Sequence, residues 1–215
     1  MNPNTQWCTV LLAAFLSGMW PGAAPAYEEP DYSVVRTEEG FELRRYAPYL
    51  VVETDAPGTF SDSRSGAFRR LFAYISGENV AKQEIEMSVP VVTSRAEDAG
   101  VEIEMTAPVV TQAAAEGRTM QFVLPSRFTI ETAPLPSDPR VRIRALDERW
   151  IAVRSYSGTW SERNYRKNEA ALQAHLEAAG LVANGPASFA GYNAPFTPWF
   201  MRRNEVMIPV RKPFP

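Results

Sequence analysis

Apolar and polar residues alternate along most of this chain, and the period of the alternation changes twice. Residues 32–46 hold two short β-prone runs on either side of Glu38-Glu39-Gly40, which predicts a hairpin with Gly40 in its turn. Residues 50–54 predict a strand. Over residues 61–75 the period lengthens. Phe68, Leu71, Phe72 and Ile75 recur at i, i+3, i+4 and i+7, the stripe of an amphipathic helix, with Ser61 placed to cap it and Gly77 to end it. Ile85, Met87 and Val89, and then Val101, Ile103 and Met105, alternate with polar residues and predict two half-buried strands joined by a hairpin loop at 96–100. Residues 120–124 predict another strand, and the proline-rich stretch 125–139 an irregular surface segment. Strands follow at 141–145 and 150–156. A second helix spans about 161–179, with the stripe Tyr165, Leu172, Leu176 and Ala179 and a stop at Gly180. Residues 187–192 and 206–210 close the pattern as strands.

The order of elements suggests a duplication. Gly58-Thr59-Phe60-Ser61 precedes the first helix and Gly158-Thr159-Trp160-Ser161 the second, one hundred residues later. Ala107-Pro108 is echoed by Ala194-Pro195, and Val123-Leu124-Pro125 by Ile208-Pro209. The expected fold class is α+β, a distorted antiparallel β-barrel built from two βα-type repeats, roughly 30–125 and 140–211, with two flanking helices. A shorter repeat, IEMSVPVVTS from Ile85 and IEMTAPVVTQ from Ile103, reads either as a doubled methionine-bearing wall or as two core strands with similar packing needs.

Composition changes the picture mainly at the start of the chain. Residues 1–26 carry no Asp, Glu, Lys or Arg, contain an apolar run at 10–16 and end in Ala24-Pro25-Ala26. This is the outline of a secretory signal peptide, so residues 27–215 are expected as the mature domain, exported to the periplasm or the cell exterior, with no stable membrane span after cleavage. The one cysteine, Cys8, lies in that leader. A mature chain without a thiol excludes disulfides and cysteine chemistry. The net charge is −3 with acids and bases interspersed, so the basic footprint of a nucleic-acid binder is missing. The sequence also has no glycine-rich phosphate loop, nucleophile elbow or zinc-type histidine set.

Six stretches carry a family resemblance: FELRRYAPYLVVET from Phe41, LFAYISGEN from Leu71, IEMTAPVVT from Ile103, FVLPSRF from Phe122, AGYNAPF from Ala190 and RRNEVMI from Arg202. In this order they resemble the SOUL/haem-binding-protein family over about residues 32–210. The resemblance implies a distorted barrel of two βα repeats and non-covalent binding of haem or another porphyrin. It also implies an apolar groove beside the first helix, at Leu71 and Phe72. Some members have a histidine proposed as a haem ligand just before the first hairpin's tyrosine; here that position is Arg45. Where some members carry lysine, this chain has Ala73 and Thr197.

The candidate cofactor-binding residues are therefore Phe68, Leu71, Phe72 and Ile75 as an apolar wall, and Arg64 and Arg69 as cations for propionates. Met105 and Tyr192 are further candidates by type. The same stripe reads equally as the helix's core face. His175, the single histidine, is either an axial iron ligand or a partly exposed helix residue, and Met87, Met201 and Tyr46 are iron ligands by type only. The loop 192–203 gathers Phe196, Trp199 and Phe200 as a binding rim or a folded-back loop. Glu102 and Glu104 should face solvent, and Glu205 reads as a member of a structural ion pair. The expected function is a tetrapyrrole carrier or buffer whose partner is an apolar small molecule. A small-molecule hydrolase on the same scaffold and a ligand-free protein-interaction module are the alternatives.

Overall fold

The structure is a computed structural model that describes residues 28–57, 62–81, 100–114, 117–194 and 196–213. In chain order the elements are β1 (Tyr32–Glu38), β2 (Phe41–Tyr46), β3 (Tyr49–Asp55), α1 (Asp62–Ile75) and β4 (Asn79–Val80). Then come β5 (Val109–Ala114), β6 (Gly117–Val123), β7 (Leu135–Pro136), β8 (Val141–Leu146) and β9 (Arg149–Tyr156). They end with α2 (Glu162–Ala178), β10 (Ser188–Gly191), a 3-10 turn at Trp199–Met201 and β11 (Asn204–Val210).

Nine strands make one antiparallel sheet in the order β1-β2-β9-β11-β10-β5-β6-β3-β8. Apart from the added edge strand β1, this order is unchanged when β2, β3, β5 and β6 are exchanged with β8, β9, β10 and β11. The register obeys the same exchange: Glu42 faces Val153, and Glu53 faces Arg142. Thr111 faces Phe189 at the midpoint, where β5 meets β10.

Both helices lie on one face of the sheet, each over its own core. Under α1, Ala67, Leu71, Tyr74 and Ile75 pack with Val52, Met120, Phe122 and Val141. Under α2, Tyr165, Leu172 and Leu176 pack with Leu43, Ala152, Phe189, Val206 and Ile208. Ser161 caps α2 by accepting from the Asn164 amide, as its position before the apolar stripe leads one to expect. The capping role expected of Ser61 lies outside the described residues.

The opposite face carries a third, smaller cluster of Tyr46, Ile151, Val153, Ala190 and Met207. The sheet curls around it. Tyr49 on β3 and Arg149 on β9 have four strands between them, which in a flat sheet would hold them roughly 24 Å apart. The Arg149 guanidinium carbon is instead 5.5 Å from the centre of the Tyr49 ring. The distorted α+β barrel with two flanking helices is thus present.

Two local expectations need correction. Residues 101–105 are not a strand: among the described residues their one ladder contact is an isolated bridge between Ser76 and Glu102. This segment crosses the end of α1, which satisfies its backbone. The Ile103 amide donates to the Ile75 carbonyl, while the Asn79 side chain accepts from the Val101 amide and donates to its carbonyl. The strand of this region is β5, which the sequence pattern did not single out. The expected strand at 85–89, with Met87, and most of the loop 96–100 lie outside the described residues.

Candidate functional site

The structure does not bring the expected cofactor residues together. Leu71 is 0% exposed and Ile75 nearly so, because both are sealed between α1 and the sheet. They form the core face of the helix rather than the wall of an open groove. Phe68 is half-buried against the same core, its ring 5.3 Å from Phe122 and stacked 5.9 Å from Phe72. Phe72 itself is 43% exposed, and Arg69 is exposed beside it. The side chain of Arg64 lies outside the described residues. Met105 is 38% exposed on the segment that crosses the end of α1. Tyr192 works on the other face of the sheet.

That helix-free face holds a densely bonded polar group centred on Glu205. Glu205, fully buried, accepts from Arg44 through both oxygens at 3.2 Å, from the Tyr192 hydroxyl at 2.6 Å, from Ser155 at 3.1 Å and from Arg203 at 3.0 Å. Burial alone would raise the Glu205 carboxyl, but Arg44, the Tyr192 hydroxyl and Arg203 outweigh it and hold the group below its ordinary value. Burial pushes the hydroxyls of Tyr46 and Tyr192 up, so both stay neutral. The expectation of a structural ion pair at Glu205 understated the network, whose members come from β2, β9 and β11 and from the residues around β11.

Across the same face, Glu53 accepts from Gln121 at 2.8 Å, with Arg142 and Arg144 at 3.8 and 3.7 Å. Beside this pair opens a cavity of about 440 Å3. Tyr49, Val110, Ile151, Met207 and Pro209 give the apolar part of its lining, and Gln112, Gln121, Asn184 and Ser188 the polar part. Arg144 and Arg149 stand at its edge with Asp147 and Glu148, and the Glu148 carboxylate is taken up by Arg45. Arg149 has no carboxylate at ion-pair distance among the described residues. Its Nε donates to the Asp147 backbone carbonyl at 3.3 Å, and its guanidinium lies over Tyr49. Burial pulls Arg149 below its ordinary value, and the charge of Arg144 adds to the effect. A second cavity, of about 630 Å3, shares Tyr49, Leu146 and Asp147 with the first, but it is ringed by Glu28, Glu29, Asp31 and Glu131.

The residues that line the helix-free cavity carry a signal that sequence reading can use. In β8 two arginines alternate with apolar Val141 and Ile143, which places both arginines on the face away from the helices. Their relation to Arg149 depends on the curl of the sheet, which no local pattern records.

The iron-ligand candidates fit poorly. His175 sits in the last turn of α2 with its ring 6.2 Å from Phe41. A Cβ built on Gly40 would stand 2.5 Å from its Nε2, so the hairpin turn closes over the imidazole. Met201 is exposed, Tyr46 accepts from Arg44 at 3.3 Å, and Tyr192 is committed to Glu205. In the loop before β11, Phe196, Trp199 and Phe200 are all exposed, while the Trp199 carbonyl accepts from the Gly158 amide and Arg202 lies over Trp160.

A profile described as SOUL heme-binding protein matches residues 27–99 and 93–209. The chain belongs to the SOUL heme-binding protein family. Among relatives of this SOUL chain, the human protein named Heme-binding protein 2 is 29% identical over 193 residues, covering 86% of this chain and 87% of that protein. The mouse protein of the same name is 26% identical over 86% of this chain and 88% of its own length. Two solved structures share the SOUL chain's fold at 12% identity. A hydrolase from Listeria innocua superposes with a TM-score of 0.53, covering 80% of this chain and 91% of that one. The C-terminal domain of EcmrR superposes with a TM-score of 0.50, covering 84% and 98%. At that identity the likeness is one of fold alone.

Proposed function

We infer that the protein binds haem or another tetrapyrrole non-covalently, as a carrier or buffer in the cell envelope, exported there behind a leader at residues 1–26. One observation carries this reading: a chain of a heme-binding family keeps an open cavity of about 440 Å3, partly apolar and edged by arginines, on the helix-free face of its sheet. Small-ligand sites typically enclose roughly 300–1,000 Å3. Burial of apolar area at about 25 cal/mol per Å2 supports useful affinity without a bond to iron. Haem, when bound, supplies an iron centre; the chain's own part is to cover the ring and exclude water. The described residues suit the macrocycle better than they suit the metal, because His175 is packed under the Gly40 turn and the hydroxyls of Tyr46 and Tyr192 are engaged.

A hydrolase would need a carboxylate free to move a proton. Glu205 is held ionised by two arginines, a state that favours a structural part. A protein-contact role has one specific footing, the exposed Phe196, Trp199, Phe200 and Met201. The visible spectrum of the haem-loaded protein, with and without His175→Ala, tests the main reading. A shifted Soret band that is the same in both is expected. Absence of any shift in the wild type overturns haem binding, and loss of the shift in the variant makes His175 the ligand.

A further inference from the structure

We propose that the helix-free cavity is an acid-binding site, in which Arg144 and Arg149 hold the carboxylates of an apolar ligand lying on Tyr49, Val110, Ile151 and Met207. For its preferred guest, a porphyrin with propionates, this rests on the tetrapyrrole reading; the site itself rests on the geometry.

Three observations converge here. The first is the state of Arg149. A half-buried guanidinium ordinarily finds a carboxylate, because leaving a desolvated cation unpaired is costly. Among the described residues Arg149 bonds a backbone carbonyl and lies over an aromatic face, with the Asp147 carboxylate acting on it only through space. The second is its neighbour. Arg144 adds a second positive charge that destabilises Arg149, and its own nearest carboxylate, Glu53, stands at the long distance of 3.7 Å and is already bonded to Gln121. Two guanidiniums at one cavity edge present forked donors suited to carboxylates. An anion there would relieve the repulsion between them. The third is the lining, where half-buried Tyr49 and Val110 edge the cluster of Ile151 and Met207 beside Gln112, Gln121 and Ser188, so the body of the ligand lies on the exposed edge of that cluster while the arginines take its charged end.

The cations at the rim select this cavity over its neighbour. The larger cavity carries Glu28, Asp31, Glu131 and the Arg203-paired Glu29, and among the described residues no arginine or lysine lines it. The helix-free cavity has Arg144 and Arg149 at its edge; its Glu148 is paired with Arg45, and Asp147 is common to both cavities. The α1 surface expected from the sequence offers exposed Phe72 and Arg69, but Leu71 and Ile75 are spent on the core.

The test is a fluorescence titration of the full chain with protoporphyrin IX, with its dimethyl ester and with cis-parinaric acid. Each is run on the wild type, on Arg144→Gln and on the Arg144→Gln/Arg149→Gln pair, with thermal melting to show that each variant folds. The site predicts that the pair weakens protoporphyrin IX at least tenfold, that Arg144→Gln alone gives a smaller loss, and that the ester binds all three proteins alike. Protoporphyrin IX binding that is equal in wild type and pair overturns the site and leaves the tetrapyrrole reading intact. Parinaric acid binding that is lost in the pair, with no porphyrin binding anywhere, overturns the tetrapyrrole reading and supports the site. No binding of any probe to the folded wild type overturns both.

Discussion

Arg44 and Glu205 are joined by two hydrogen bonds of 3.2 Å, although 161 residues separate them in sequence. The bond ties β2 to β11 across β9 on the face that carries no helix. Removing one partner of a buried pair leaves the other charge uncompensated. Glu205→Gln should therefore lower stability at neutral pH by about 3–5 kcal/mol, measured by denaturant unfolding.

The same pair sets an acid response. Glu205 titrates below its ordinary value when folded, so its contribution is full above the unfolded glutamate pKa of about 4.3. It fades as pH falls from there through the lower folded value. Glu205→Gln should flatten the acid arm of the stability profile below about pH 4.3; an unchanged slope would remove Glu205 as a source of acid lability.

Much of the frame was legible in the chain. Both helix stripes, the Gly40 hairpin, and β3, β6, β8, β9 and β11 follow from periodicity and turn residues. The one-hundred-residue offset between the two GTxS segments is also the offset that carries the Glu42–Val153 pairing onto Arg142–Glu53. The site was far less legible. A helix stripe reads the same whether it seals a core or lines a groove, and for Leu71 and Ile75 the core won. Residues 101–105 alternate like a strand, yet Asn79 and the end of α1 supply their hydrogen-bond partners. Arg149 meets Tyr49 because β3 pairs with β8, which sets Tyr49 opposite Leu146, three residues before the start of β9; that pairing is a long-range property.

Leu71→Ala and Phe72→Ala should separate core from surface on α1. Leu71→Ala leaves a cavity and should cost about 2–5 kcal/mol. Phe72→Ala loses only a stacked partner and should change stability by about 1 kcal/mol or less. If ligand lies on the helix-free face, neither changes protoporphyrin IX affinity in the folded protein. A tenfold loss in Phe72→Ala alone would return the site to α1.

Gly40→Ala should cost about 1–3 kcal/mol. The backbone there has φ of +86°, and the new methyl would meet His175 Nε2 and Arg154 Nη1. Adding His175→Ala should give back part of the loss, leaving the φ strain. Strict additivity in thermal melts would mean that the imidazole is not what the hairpin turn packs against.

The most direct measurement compares the affinities of haem and metal-free protoporphyrin IX for the same wild-type preparation. Binding by burial, with no axial ligand, predicts dissociation constants within about threefold, a difference of roughly 0.6 kcal/mol. Haem bound a hundredfold more tightly than the metal-free ring would show that iron ligation holds the guest, and would contradict the account.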